Sequence, residues 1–381
     1  MDKITIAIIT HAFSCRNYGQ ILQAYALHKY LEIEGFYPYI IDYRPGCLEY
    51  TLSKNVCLSR LKCFIKNLPL IRKFMLTRQE AKYQAETLHN YRNFEDFKSK
   101  KINYSKRKYS TFRELKKNPP KADLYVTGSD QVWGLCAPNP KPYLLAFTDS
   151  INKISYAASF GRSELNDYEL SVFQKWLSKY RAIGVRELTG IDICQKLKIN
   201  NCQYTPDPTI LLNTEEWKNL MPENKLFKTH KKKIFIYSCY LQRDELIGKF
   251  DNLSDYEIII EDVVNFDSDI AQLSLGNWIR AIYEADYVIT NSFHATMFSL
   301  YLNTPFISLK NLGIKARMNT RIESILSQLN LESRSALLNT DNEKIFYILQ
   351  ESIDWVSVNK KLNSLRQTAY SYLRKNLSSG L

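Results

Sequence analysis

The chain has 381 residues, 45% of them apolar, with 12 Gly and 12 Pro, which excludes collagen-like, low-complexity and disordered classes and suits two domains of ordinary size. Its formal net charge is +13, and 18 Lys and Arg stand against 5 Asp and Glu between Val56 and Lys121, so one segment holds the whole excess. No run approaches the ~20 apolar residues that span a bilayer, and the eight cysteines form no CxxC pair and no metal-ligand spacing with histidine.

In chain order, Ile4 to Thr10 reads as a buried strand without the features of a signal peptide, so a cytoplasmic protein with reduced thiols is expected. Cys15 just after it either lines a pocket or packs. Asn17 to Glu34 reads as a helix with an Asn near its start, an apolar face through Ile21, Leu22, Tyr25, Ala26 and Leu31, and Gly35 as its stop. With a second strand at Tyr39 to Tyr43 this makes a βαβ unit, whose strands are parallel.

The basic segment follows as a helical insertion over about 56–121. Its stretch LSRLKCFIKNLPLIRKFM spaces Leu58, Leu61, Phe64, Ile65, Leu68, Ile71, Phe74 and Met75 like a basic amphipathic helix pair interrupted at Pro69. It either meets an anionic membrane surface, or a lipid diphosphate substrate carried there, or packs its apolar face on its own domain. A nucleic-acid partner is not expected, because no RNA-binding signature or groove-reading motif is present.

Alternation resumes with strands at Leu124 to Thr127 and Ser155 to Phe160, a helix from Glu164 to Tyr180 and a strand at Ala182 to Val185. A second set has strands at Ile234 to Tyr240, Glu257 to Ile260, Tyr287 to Thr290 and Phe306 to Leu309, with helices around Leu275 to Tyr283 and from about His294. The expected fold is therefore α/β, with two doubly wound Rossmann-like domains over 1–200 and 201–381 and an amphipathic C-terminal helix from Trp355 to Leu373.

Ligands of open α/β sheets bind beyond the carboxyl ends of the strands, where helix N-termini offer free N–H groups. Four clusters fall there. In Asn17-Tyr18-Gly19-Gln20, Asn17 caps the helix, Gly19 permits close approach of a ligand, and Gln20 adds an amide; a plain capped helix start uses the same letters. In Gly128-Ser129-Asp130-Gln131-Val132-Trp133, Asp130 is placed to orient or deprotonate a sugar hydroxyl and Trp133 to stack on a sugar face, although an Asx-capped turn reads alike. Arg186 at a strand end suits a carboxylate or phosphate, or else a surface pair with Glu187. In NSFHATMFSL, Asn291 and Ser292 form the turn and cap, and His294 stands in the first helical turn, as a ligand group or as a packed core histidine. No GxGxxG, P-loop, GxSxG or HExxH is present.

These clusters resemble, in order and spacing, the polysaccharide pyruvyl transferase family. The matching pieces are NYGQILQAYALHKYLE with IIDYR, GSDQVW, ISYAASFG, GVRE, PDPTILL, TNSFHATMFSLYLNTPFI and MNTRIESIL. The resemblance implies two facing Rossmann-like domains, similar to the GT-B glycosyltransferases. It also implies transfer of the pyruvyl group of phosphoenolpyruvate onto two hydroxyls of one sugar of a cell-surface saccharide, giving a cyclic ketal and phosphate without a cofactor. The acceptor it implies is assembled on a lipid carrier at the inner membrane surface.

By the same resemblance His294 is the acid and Arg186 the phosphoenolpyruvate-binding arginine, and Asp130 is the candidate base, with Asn17, Tyr18, Gly19, Gln20, Ser129, Trp133, Asn291 and Ser292 as substrate-binding candidates. One departure stands out: Ser292 occupies the place of an arginine two residues before the family histidine. Either Arg317 or Arg321 supplies the cation instead, or this branch takes another donor. Two further readings are a GT-B glycosyltransferase using a nucleotide sugar and a non-catalytic saccharide-binding member.

Overall fold

A computed structural model describes residues 3–45, 65–66, 68–88, 92–134, 139–239, 248–250, 253–263, 272–311, 313, 316 and 319–378. The first sheet takes β1 (Thr5–Ile9), β2 (Tyr37–Ile40), β3 (Leu124–Thr127), β4 (Lys153–Ala158), β5 (Ala182–Val185) and β6 (Cys202–Tyr204) in the order β2-β1-β3-β4-β5-β6. The second takes β7 (Lys232–Ser238), β8 (Tyr256–Asp262), β9 (Tyr287–Thr290), β10 (Phe306–Lys310) and β11 (Ser335–Leu337) in the order β11-β10-β9-β7-β8. Every pairing is parallel. Central strands such as β1, β3 and β4 are covered on both faces, which is why β1 and β3 read as apolar runs rather than alternating ones.

The helices between them are α1 (Tyr18–Ile33), α2 (Pro69–Leu88), α3 (Phe94–Lys101), α4 (Phe112–Lys117), α5 (Asp167–Leu177), α6 (Leu188–Lys196) and α7 (Thr214–Lys218). After them come α8 (Leu275–Glu284), α9 (Phe293–Tyr301), α10 (Asn319–Leu329), α11 (Asn342–Gln350) and α12 (Trp355–Ser378). Several ends differ from the sequence reading for local reasons. A capping box between Asn166 and Glu169 starts α5 later than Glu164. A register shift between Ser155 and Ala158, with Ala157 at φ 52, ends β4 before Phe160. Pro69 opens α2, where its missing N–H costs nothing, and separates it from the helical residues Ile65 and Lys66, at the interruption the spacing implied. The stretch 46–64, which holds the start of that expected pair, lies outside the described residues.

α1 joins the two halves. Every residue from Tyr18 to Leu31 except Gln20 and Lys29 is buried, because the helix lies between its own sheet and the second domain. Tyr18 stacks on Trp278 with ring centroids 5.2 Å apart, and its hydroxyl donates to Leu273 O at 2.6 Å. A buried ion pair, Arg92 with Glu261 at 2.6 Å, ties the segment before α3 to the end of β8. The C-terminal helix returns to the first half: the Tyr372 hydroxyl donates to Ser155 O at 2.6 Å and Tyr370 stacks on Tyr30.

Candidate active site

The carboxyl ends of the two sheets open toward one cleft. Its first-domain wall is made by His11, Asn17, Gln20, Asp130 and Gln131, and its second-domain wall by Cys239, Asn291, Ser292, Phe293, His294, Asn311, Arg321 and Ile322.

His294 stands where its place after β9 implied. Ser292 caps α9 by accepting from Ala295 N at 3.4 Å, and its own N–H donates to Thr290 Oγ1 at 3.0 Å. His294 is 7% exposed, and its Nε2 lies 3.6 Å from Asp207 Oδ2 with no hydrogen bond among the described residues. It is therefore not a core histidine bonded to a backbone carbonyl. It rests on the first turn of α1, where a Cβ at Gly19 would come 2.0 Å from Nδ1. Gly19 thus makes room for His294, not for a ligand.

Asp207, in the Thr-Pro-Asp-Pro turn after β6, is the residue behind the histidine. Oδ1 accepts from Thr209 N at 3.0 Å and Thr209 Oγ1 at 2.8 Å, and Oδ2 accepts from Arg186 Nη1 at 2.9 Å and Ser129 Oγ at 3.4 Å. Burial alone would raise its pKa; His294, Arg186 and the Thr209 N–H outweigh that and hold it well below the usual carboxylate range. The turn belongs to the PDPTILL piece, in which Asp207 carries no role that sequence alone assigns. An acid between two prolines just past a strand was the available signal.

A second pair faces it. His11, directly after β1, has Nδ1 3.5 Å from Asp130 Oδ2, and its ring is set edge-on against Tyr143 and Phe13. Asp130 sits at φ 74, a left-handed backbone that Asp tolerates better than most residues, and its Oδ1 accepts from Gln131 N at 2.8 Å. Burial opposes its ionisation, yet His11, Arg186 and His294 together push its pKa far down. His11 was missed because one histidine after an apolar run carries no motif.

The other expected residues divide sharply. Arg186 is 4% exposed and lies beneath the cleft, gripped by Asp207, by Glu187 at 3.4 Å and by Ser129, with Asp130 3.9 Å away. Burial lowers its pKa, but Glu187, Asp207 and Asp130 together raise it further, so its charge is locked in. Ser129 is buried there as part of the same cluster. Tyr18 is an interdomain strut away from the cleft. Trp133 offers no face to a sugar: its N–H to Ser159 O turns the chain back, and the indole drops into the core against Phe160, with Nε1 donating to Tyr143 O at 3.0 Å.

Asn17 and Gln20 do reach the cleft, Asn17 as the cap of α1 at 3.1 Å from Gln20 N and Gln20 through Oε1, which accepts from Ser14 N. Asn291 holds the strand ends together, accepting from Cys239 N at 2.9 Å and donating to Asn311 Oδ1 at 3.1 Å. Arg321 lines the cleft opposite Asp130, its guanidinium 5.6 Å from the Phe293 ring, and Arg186 stands 5.4 Å from the same ring. Arg317 lies outside the described residues. No group of three His, Cys, Asp or Glu among the described residues is placed to hold a metal ion.

The sequence profile of the family described as polysaccharide pyruvyl transferase matches residues 17–312. No curated protein matches the chain by sequence. Among solved structures, the UDP-N-acetylglucosamine 2-epimerase of Rickettsia bellii superposes with TM-score 0.53 at 10% identity, over 99% of this chain and 97% of that one. A glycosyltransferase of Rickettsia africae ESF-5 gives 0.52 at 12%, over 100% of both chains. The N-terminal domain of the Candida albicans trehalose-6-phosphate phosphatase gives 0.50 at 10%, over 99% of both. These likenesses are of fold: two Rossmann-like domains facing a cleft, in the GT-B manner.

Proposed function

The chain belongs to the polysaccharide pyruvyl transferase family, and on that footing we propose that it moves the pyruvyl group of phosphoenolpyruvate onto two hydroxyls of one sugar in a cell-surface polysaccharide precursor. The observation that carries this reading is the His294–Asp207 pair at 3.6 Å, set at the N-terminus of α9 in the interdomain cleft. A carboxylate held ionised behind one ring nitrogen stabilises the imidazolium and orients it, as in other His–Asp pairs. The imidazolium so held lines the cleft and is the proton donor to the enol carbon.

The atoms balance as follows. His294 gives a proton to the methylene carbon, which becomes methyl; a sugar oxygen bonds to the adjacent carbon; phosphate leaves; and a second sugar oxygen closes the ketal. Of the two hydroxyl protons, one replaces that given to the methyl group and the other leaves on phosphate. Arg321 and the N–H groups opening α9 are the cationic and dipolar partners for the donor's anions, in the role that an arginine at position 292 would otherwise take. Arg186, already engaged by carboxylates, supports the site from below.

We assign the acceptor to a lipid carrier at an anionic membrane. Support comes from α2, where Leu70 is 84% and Phe74 67% exposed beside Lys73 and Arg78 on a helix within the basic segment. An apolar ridge among cations complements an anionic lipid surface. Arg72, paired with Glu114, fastens α2 to the body of the domain.

The test is to incubate the protein with phosphoenolpyruvate and lipid-linked or soluble oligosaccharides and follow phosphate together with product mass. Acceptor-dependent phosphate and a saccharide heavier by pyruvate less water are expected, both lost in His294→Gln. Unchanged turnover in His294→Gln would sink the assignment.

A further inference from the structure

Forming a ketal from a diol needs a group that takes hydroxyl protons as well as one that protonates carbon, and the inference drawn here rests on the pyruvyl-transfer reading. Asp130 was the candidate base in the sequence, but its two carboxylate oxygens are already committed. Oδ1 accepts from the Gln131 N–H at 2.8 Å and stands 3.9 Å from Arg186 Nη2, and Oδ2 faces His11 Nδ1 at 3.5 Å. A carboxylate so placed, with its pKa pushed far down, is a weak proton acceptor.

We propose that His11 is the base that deprotonates the acceptor sugar, and that Asp130 is its positioning residue. His11 lines the cleft on the first-domain wall, while His294 lines it on the second. Its ring is clamped edge-on by Tyr143 at 5.0 Å and Phe13 at 5.9 Å, so it has little freedom to turn. With Nδ1 turned to Asp130, Nε2 is left on the far side of the ring, and no hydrogen bond occupies it among the described residues. The left-handed backbone at Asp130 marks a position held against local preference, as at sites where geometry is imposed by function. At 3.5 Å the two groups are close enough for the contact to tighten into a hydrogen bond when the ring gains charge.

In this step the hydroxyl proton passes to His11 Nε2 as the sugar oxygen bonds to the central carbon of the donor. The imidazolium is stabilised by Asp130 and returns the proton to the departing phosphate oxygen. His11 is then neutral again for the second hydroxyl, whose proton it passes to solvent, from which His294 regains the one it gave to carbon. The two histidines thus divide the work, His294 serving carbon and His11 serving oxygen.

The experiment compares wild type, His11→Ala, Asp130→Asn and the double variant. Acceptor-dependent kcat is expected to fall at least 100-fold in His11→Ala, with phosphoenolpyruvate affinity by calorimetry unchanged, and to recover at least tenfold on adding imidazole. The double variant should be no slower than His11→Ala alone. Nitrogen-15 spectra of the histidine rings should show His11 protonated at Nδ1 in wild type and mixed tautomers in Asp130→Asn, a readout independent of turnover. Full activity in His11→Ala, or a His11 tautomer indifferent to Asp130→Asn, overturns the proposal. An inactive wild type with the expected tautomer shift would count against the pyruvyl-transfer reading while leaving the His11–Asp130 pairing in place.

Discussion

His294 lies against the backbone of Gly19, so tightly that a methyl group there would come within 2.0 Å of Nδ1. The two residues belong to different domains, and α1 therefore seats the histidine as well as filling the junction. Gly19→Ala sets two effects against each other. Alanine favours a helix over glycine by about 1 kcal/mol, but the contact leaves no room for its Cβ. The clash wins, because the ring is held between Gly19 and Asp207. We expect at least a 100-fold loss of turnover with the fold retained, read by comparing kinetics with the thermal unfolding curve; wild-type turnover would show that the ring relaxes freely.

Asp207→Asn tests the carboxylate beneath the cleft. Removing one partner of a buried ion pair costs about 3–5 kcal/mol, and here Arg186 would keep Glu187 but lose its 2.9 Å contact. The pH dependence has a definite sign. The folded pKa of Asp207 is depressed, so its stabilisation is complete above the ordinary carboxylate range and is lost as pH falls below it. Urea unfolding should therefore show the variant's deficit in full at pH 7 and shrinking below about pH 4. A deficit constant with pH would mean that Asp207 is not the ionised partner.

Much of the fold was legible because its central strands are buried on both faces and its helices carry caps. β3, β5 and β9 were bounded correctly from apolar runs alone. The strands missed, β6 as CQY and β11 as SAL, are three-residue edges with part of their surface in water, so nothing in their composition sets them apart from loops. The lining of the cleft was legible in outline, at His294 and Asp130, and illegible where a residue's setting depends on what stands behind it. Arg186 looked like a ligand group because an arginine at a strand end is usually solvated. Only the surrounding carboxylates, contributed by residues 130, 187 and 207, reveal it as a buried support.

Trp133 illustrates the same limit and gives a simple test. An aromatic residue after a polar turn is equally suited to a sugar face or to a core, and here it is enclosed by Phe160, Phe173 and Tyr180. Trp133→Phe removes the Nε1 hydrogen bond to Tyr143 and leaves a gap, so stability should fall by about 1–3 kcal/mol. The KM for the acceptor should stay as in wild type. A raised KM without loss of stability would restore the tryptophan to the binding surface.

The exposed ridge of α2 separates membrane contact from catalysis. Leu70 and Phe74 are a turn apart on the same side of the helix, so Leu70→Glu with Phe74→Glu places two anions where an apolar ridge stood. Burying both side chains in lipid is worth about 1.5–3 kcal/mol each, and the neighbouring Lys73 and Arg78 add roughly 1 kcal/mol apiece near an anionic surface. Wild type should therefore sediment with vesicles rich in phosphatidylglycerol, less so as salt rises, and not with phosphatidylcholine alone. The double variant should stay in the supernatant while turning over a soluble acceptor at the wild-type rate, because neither residue lines the cleft. Equal sedimentation of the two proteins would assign the ridge to some other contact and leave the basic segment without a lipid partner.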